Sequence, residues 1–280
     1  MLSHAAYMAM AERKSVLTQL PGWRLCRVQN DSMHCVNLGL AWLLIGNVLW
    51  CLVCMHAFLV LGPAFGISLP VDASADTVLA DFYIRFKLWL RRHKLACTTH
   101  RFTKANLHIS SNGIFYKCKA SKSPIIISWL ASVTFEFARL CQPEHKDLAD
   151  AMAVACWALS EYFSLLKLGG RLFTHEEATK LDHVGHAFMY SYAECMRLRE
   201  DHRQFHMPPK MHQFNHIILD SVEERTNPRF SWCFGGEDMI GKMLLLARAG
   251  HALTVVANSI DTYVIGLIER LKNFRHWRQV

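Results

Sequence analysis

Asp31 stands at the head of an unusual run. The stretch NDSMHCVNLGLAWLLIGNVLWCLVCMHAFLVLG begins with this acid, and the chain reaches Asp72 before another Asp, Glu, Lys or Arg. Such a run is long enough to cross a bilayer. Its opening on Asp-Ser-Met-His is an unusual way to enter a membrane, so the run reads equally as a buried helix carrying a catalytic acid. The histidines offer a second chemistry. His212 and His216 lie four apart in MHQFNHIILD, so a helix puts both on one face. The zinc-protease pattern needs Glu directly after the first His as general base, and Gln213 stands there instead, which excludes that activity. A bare pair can still bind a metal, although a hydrogen-bonded core or surface pair is the commoner use. The pairs His183/His186 and His202/His206 read the same way. Cys51 and Cys54 form a CxxC inside the apolar run with no second pair, too little for a zinc or redox motif. Gly235-Gly236 precedes an expected helix and reads as a turn rather than a phosphate loop. No Gly-x-Ser-x-Gly elbow occurs.

A third chemistry lies in the middle of the chain. Arg91, Arg92, Lys94, Arg101, Lys104, Lys117, Lys119 and Lys122 are interleaved with Phe102, Phe115 and Tyr116. Cations with aromatic rings between them suit phosphate contacts plus stacking on bases. The same stretch also reads as a solvated loop.

The elements that must position these groups are mostly helical. Asp76 is the expected N-cap of a helix in which Phe82, Phe86 and Trp89 or Leu90 recur at helical spacing. The polar stretch from Cys97 to Ser123 holds one turn signal, Asn112-Gly113. Pro124 opens an apolar helix, and Pro143 opens another that stops at Gly169-Gly170. Thr174 and Glu177 match a capping box, followed by Leu181, Val184, Phe188, Tyr192 and Cys195 on one stripe, with the helix giving out near His202. After HMPPK comes a helix broken at Asn227-Pro228. The segment 229–234 is then the best strand candidate, 237–249 a helix, and Ile260, Val264, Leu267, Leu271 and Phe274 mark a terminal amphipathic helix. The N-terminal residues read as a short helix before Leu20-Pro21-Gly22 rather than a signal peptide. The pattern is one mainly helical body with a few short strands near its ends.

The totals bound this picture. The chain has 280 residues, 52% hydrophobic and 19% charged, enough apolar content for a real core and unlike a disordered tail. A net charge of +8 suits nucleic acid or an anionic membrane. Ten cysteines sit singly, mostly in apolar runs, which fits buried thiols in a reducing compartment. For a membrane span at about residues 38–62 stand its length and the asymmetry of Arg24 and Arg27 against Asp72 and Asp76. Against it stand Asn37, Asn47, His56, Pro63 and Pro70.

The segment LPGWRLCRVQNDSMHCVNLGLAWLLIGNVLW resembles the "LPGF…DxMHxxxxGV…L" block of transposases of the CACTA (En/Spm) kind and of related mobile-element proteins of protists. MPPKMHQFNHIILD resembles their "PKxHxxxH" helix, and NPRFSWCFGGEDMIGK their "W-x-F-x-x-E-x-x-x-G" segment. KCKASKSPIIISWL stands where relatives carry a basic "K-x-K-A-x-x-x-R" segment opening an insertion helix, with Lys122-Ser-Pro where they tend to have a Glu and an Arg. The resemblance implies a mainly α fold with a few short β-strands, a partial RNase H-like core interrupted by a large helical insertion. Residues 1–62 would form the core segment with the second acid, 63–205 the insertion, and 206–280 the segment with the third acid. It implies that Asp31 and Glu237, with Asp238 beside it, are the catalytic and metal-binding acids of a DDE triad.

In such enzymes two Mg or Mn ions lie between carboxylates. One activates the attacking oxygen and the other stabilises the leaving one. Hard ions want oxygen ligands, hence Asp and Glu. The departures are specific. Residues 1–30 contain Glu12 and no Asp, so the first acid of the triad is not in this sequence, and some relatives carry an acid where Asn37 stands. The expectation is a truncated or decayed transposase-derived protein, nuclear or cytoplasmic, inactive in strand transfer on its own. It would keep weak DNA binding through the basic stretch, with a second copy of the chain as a further partner. The alternatives are a membrane-anchored helical protein and a non-enzymatic helical interaction protein.

Overall fold

The computed structural model describes residues 30–62, 68–110, 113–199, 204–234 and 264–265. Contacts divide the chain into two units, Met1–Ser231 and Trp232–Val280. In the second, only 232–234 and 264–265 are described. Glu237, Asp238, the glycine pair before them, the 237–249 helix, the rest of the terminal helix, His202 and the N-terminal helix therefore lie outside the described residues.

The first unit is mainly helical, with one small sheet among its described residues. Helix α1 spans Met33–Cys54, its first eight residues, Met33–Leu40, in π geometry and the rest, Ala41–Cys54, α-helical. Helix α2 is a single turn, Ala57–Val60, set off by His56 in the left-handed region. Helix α3 spans Ala75–Arg92, α4 Ser123–Leu140, α5 Pro143–Leu168, α6 His175–Leu198 and α7 Pro209–Glu223. A 3-10 turn at Pro228–Phe230 follows. Strands β1, Leu107–Ser110, and β2, Gly113–Tyr116, pair antiparallel with Leu107 opposite Tyr116 and Ser110 opposite Gly113.

Helix α1 is the axis of the core. Leu40, Ala41, Leu44, Ile45, Val48, Leu49, Cys51 and Leu52 are fully buried, as a helix apolar all round must be when neighbours cover every face. It packs on β2, α4, α3 and α5, with α7 against its π turn. The polar residues that break its apolar run are the means of that packing. Asn37 Nδ2 donates to the Ala120 carbonyl (3.0 Å), Trp42 Nε1 to that of Cys118 (2.9 Å) and Asn47 Nδ2 to that of Ile114 (3.0 Å). The three partners descend as the helix positions ascend, so α1 runs antiparallel to 114–120 and is tied to its backbone. At Gly46 a Cβ would stand 2.5 Å from Phe115 Cα, so the approach of helix and strand requires glycine there.

Helices α4, α5 and α6 stack in succession, with α5 between the other two. Pro124 and Pro143 occupy first-turn positions, where the absent N–H has no intrahelical partner to lose. The expected capping box at α6 is formed. Thr174 Oγ1 accepts from Glu177 N–H (3.2 Å), and Glu177 Oε2 accepts from Thr174 N–H (2.8 Å). Thr174→Ala is expected to cost about 1 kcal/mol and to lower Tm by about 2–4 °C in a thermal melt.

Two sequence expectations are corrected. Ser74, not Asp76, caps α3. Ser74 is extended and its Oγ accepts from Thr77 N–H (3.2 Å). Asp76 lies in the first turn, where the helix dipole favours an acid, and its carboxylate accepts from Lys104 N–H (2.7 Å). The segment 229–234 is not a strand, because Asn227 accepts from Arg229 N–H and winds Pro228–Phe230 into a 3-10 turn. The strands among the described residues lie in mid-chain, as a hairpin inside the polar stretch, and the chain ends lie largely outside the described residues.

Aromatic rings fill the core in two groups. Phe86, Phe102, Tyr116 and Trp129 meet behind the hairpin, with Phe102 stacked on Trp129 at 5.6 Å. Tyr162, Phe188, Tyr192, Phe205 and Phe214 join α5, α6 and α7. Buried thiols lie among them. Burial pushes Cys35, Cys118 and Cys156 up from the usual 9.0 to about 12. In the unfolded chain these thiols ionise near 9, and in the folded chain they hold their protons to about 12. Above pH 9 the unfolded state therefore binds fewer protons. Stability should decline as pH rises from about 9 to about 12, a trend checked by urea unfolding across that range.

Candidate functional site

The site starts at the N-terminal end of α1. The first N–H groups of a helix have no intrahelical acceptor. Asp31 supplies one. Its Oδ1 accepts from Met33 N–H (3.0 Å), its Oδ2 from His34 N–H (3.3 Å), and the same Oδ2 is paired with His34 Nδ1. The carboxylate is part-buried and the imidazole about half-exposed. Ser32 is buried and donates from Oγ to the Pro228 carbonyl (3.2 Å), bringing the Asn227-Pro228 turn against the same helix end.

The first turn of α7 closes on it from the other side. Lys210 Nζ donates to the His34 carbonyl (2.8 Å), and the Lys210 carbonyl accepts from the Cys35 thiol (3.2 Å). The Lys210 stem lies over Gly39, where a Cβ would stand 2.5 Å from its Cδ. Two blocks about 175 residues apart in sequence, DSMH and PKMHQFNH, are thus joined by side chains and backbone. Burial raises the Cys35 thiol, with the Lys210 charge opposing, so Cys35 is a packing residue and not a nucleophile at neutral pH. The next turns of α7 carry His212 and His216, Nε2 to Nε2 3.0 Å apart on its outer side.

Asp31 is thus positioned at a junction, whereas Glu237 lies outside the described residues. The groups that the described residues gather round Asp31 are an imidazole, an ammonium, a hydroxyl and a thiol. Mg and Mn ions take oxygen ligands, and of the two acids expected to hold them Asp31 alone is among the described residues.

The basic candidates are mostly surface residues. Arg91, Arg92, Lys94, Arg101, Lys104, Lys117 and Lys119 are exposed and Lys122 is half-buried. The rings between them divide. Phe102 and Tyr116 are fully buried in the core and cannot stack on a base. Phe115 is half-buried, with His108 stacked on it at 5.0 Å and Lys117 Nζ 5.6 Å from its centroid. A cleft of about 500 Å³ brings Lys117 and Lys119 together with Trp42, Thr99 and His100. Trp42, His100 and Lys210 are residues that sequence reasoning missed. Trp42 is hidden among apolar neighbours, and the signal for Lys210 was its place at the head of the His-x-x-x-His helix.

Compared with known proteins, the chain matches no family model, no curated protein and no solved structure.

Proposed function

We propose that this chain is a transposase-derived protein of the CACTA-like kind, with an RNase H-like ancestry for the segments around Asp31 and Glu237. In this reading it binds DNA through its basic stretch and does not cleave it alone. What supports the reading is the junction of its two motif blocks. Lys210 of PKMHQFNH holds the His34 carbonyl of DSMH, and Cys35 holds Lys210 in return. A meeting of these two blocks is what the resemblance implies for segments that serve one site. The reading takes Asp31 and Glu237 as two acids of the site. A two-metal centre needs a further carboxylate.

Fluorescence anisotropy with a labelled DNA duplex tests this. Binding should weaken with salt in a log-linear way. Lys117→Glu with Lys119→Glu should reduce affinity about tenfold and flatten the salt slope by about 2. Incubation with Mg or Mn should produce no nicking. Nicking that disappears in Asp31→Ala overturns the incompleteness, and DNA binding that ignores both salt and the lysine changes overturns the partner.

Membrane association is the second reading. Met33–Cys54 and Pro143–Leu168 are long and apolar enough to span, with 78% and 50% of their apolar windows buried inside the protein. Recovery of the expressed chain in the carbonate-resistant membrane fraction would favour it over the first.

A further inference from the structure

We propose that His212 and His216 form a binding site for a nitrogen-preferring divalent metal ion of the zinc, nickel or copper class. This inference is independent of the transposase reading and concerns a different chemistry from the Mg or Mn expected at Asp31.

The pair is aimed at a common point. The two Nε2 atoms lie 3.0 Å apart, with ring centroids 4.4 Å apart and planes at 80°. A metal–nitrogen bond of about 2.0–2.1 Å separates two ligand nitrogens by about 2.9 Å at a right angle and about 3.4 Å at a tetrahedral one. The observed spacing falls within that range, so an ion can enter with rotation of the rings alone. The helix beneath is anchored. Met211, Phe214, Ile217 and Ile218 are buried on the opposite side of α7, which fixes the backbone that carries both rings. Lys210, two residues before His212, turns away to the His34 carbonyl, so its charge is engaged elsewhere.

The placement of the ring nitrogens also fits. At this spacing one Nε2–H can donate to the other Nε2. His216 Nδ1 is shut from solvent and has no hydrogen-bond partner among the described residues, which leaves Nε2 as the nitrogen of that ring able to reach a ligand. When the ion binds, the Nε2 proton moves to Nδ1 of the ring that donated it, and each Nε2 gives one lone pair to the metal. No redox change is involved. Two imidazoles leave the remaining coordination positions to water. They select borderline ions over Mg or Ca, which take oxygen.

The test uses the 280-residue chain stripped with EDTA and titrated with zinc chloride, and separately with nickel chloride, by calorimetry. One saturable equivalent is expected. His212→Ala and His216→Ala should each weaken it at least about tenfold, and His183→Ala should leave it unchanged. Zinc should raise Tm in the wild type and not in the double variant. His212 is exposed, so His212→Ala carries the result even if His216→Ala disturbs folding. Absence of saturable binding in the wild type, or undiminished binding in His212→Ala, overturns the site.

Discussion

Asn47→Leu is expected to lower the free energy of unfolding by about 3–5 kcal/mol, measured by urea titration with an unchanged m-value. Asn47 is fully buried in α1. Its Nδ2 donates to Leu43 O (2.8 Å) and Ile114 O (3.0 Å), and its Oδ1 accepts from Phe205 N–H (2.9 Å). Three segments distant in sequence are held by one amide. Leucine has a similar volume but no polar atoms, so the Ile114 carbonyl and the Phe205 N–H lose a partner in the core. Each buried backbone group left unmatched costs about 1–3 kcal/mol, which outweighs the apolar gain of the substitution. The opposite outcome is as informative. In a helix facing lipid, replacing Asn by Leu favours insertion. A more stable Asn47→Leu variant would sink the account of α1 as a protein-packed helix.

Gly46→Leu is the second large effect, about 3 kcal/mol in the same titration. A Cβ at Gly46 would lie 2.5, 2.7 and 2.8 Å from Cα, C and N of Phe115. These are backbone atoms of β2, and no side-chain rotation relieves the clash. The hairpin must move off the helix, taking the hydrogen bonds of Trp42 and Asn47 with it. Leucine is the better helix former by somewhat under 1 kcal/mol, which does not offset such a displacement. Near-UV circular dichroism should lose the signal of the Phe102–Trp129 stack behind the hairpin. A Gly46→Leu variant with wild-type stability and an unchanged aromatic signal would contradict the close approach.

These two residues mark where sequence reading reached and where it stopped. The helices α4 to α7 were legible because proline, glycine and the Thr174–Glu177 box punctuate them, and such signals are local. Asp31 was legible as the acid at the start of α1 for the same reason, since its partners are two and three residues away. The hairpin 107–116 was not. Its strands are four residues each, set among lysines, and they exist because α1 supplies an apolar wall and side-chain donors for their carbonyls. Phe102 and Tyr116, placed by sequence on a nucleic-acid surface, are core residues for that reason. A ring beside a lysine in sequence can point to the opposite face of a strand.

Length and apolar content by themselves determined that residues 32–54 would be helical and hidden from water. They did not determine what would hide them. Asn37 and Asn47 looked like flaws in a span, and the tertiary structure made them, with Trp42 and Gly46, its attachments to 114–120. The same holds at the candidate site. Sequence named DSMH and the helix beginning PKMH separately, and only folding brought Lys210 onto the His34 carbonyl and set the two imidazoles of α7 3.0 Å apart. Helix periodicity is written in neighbours three and four residues away. A buried hydrogen bond across 67 residues, such as Asn47 to Ile114, leaves no local trace, because its energy belongs to the pair and not to either residue alone.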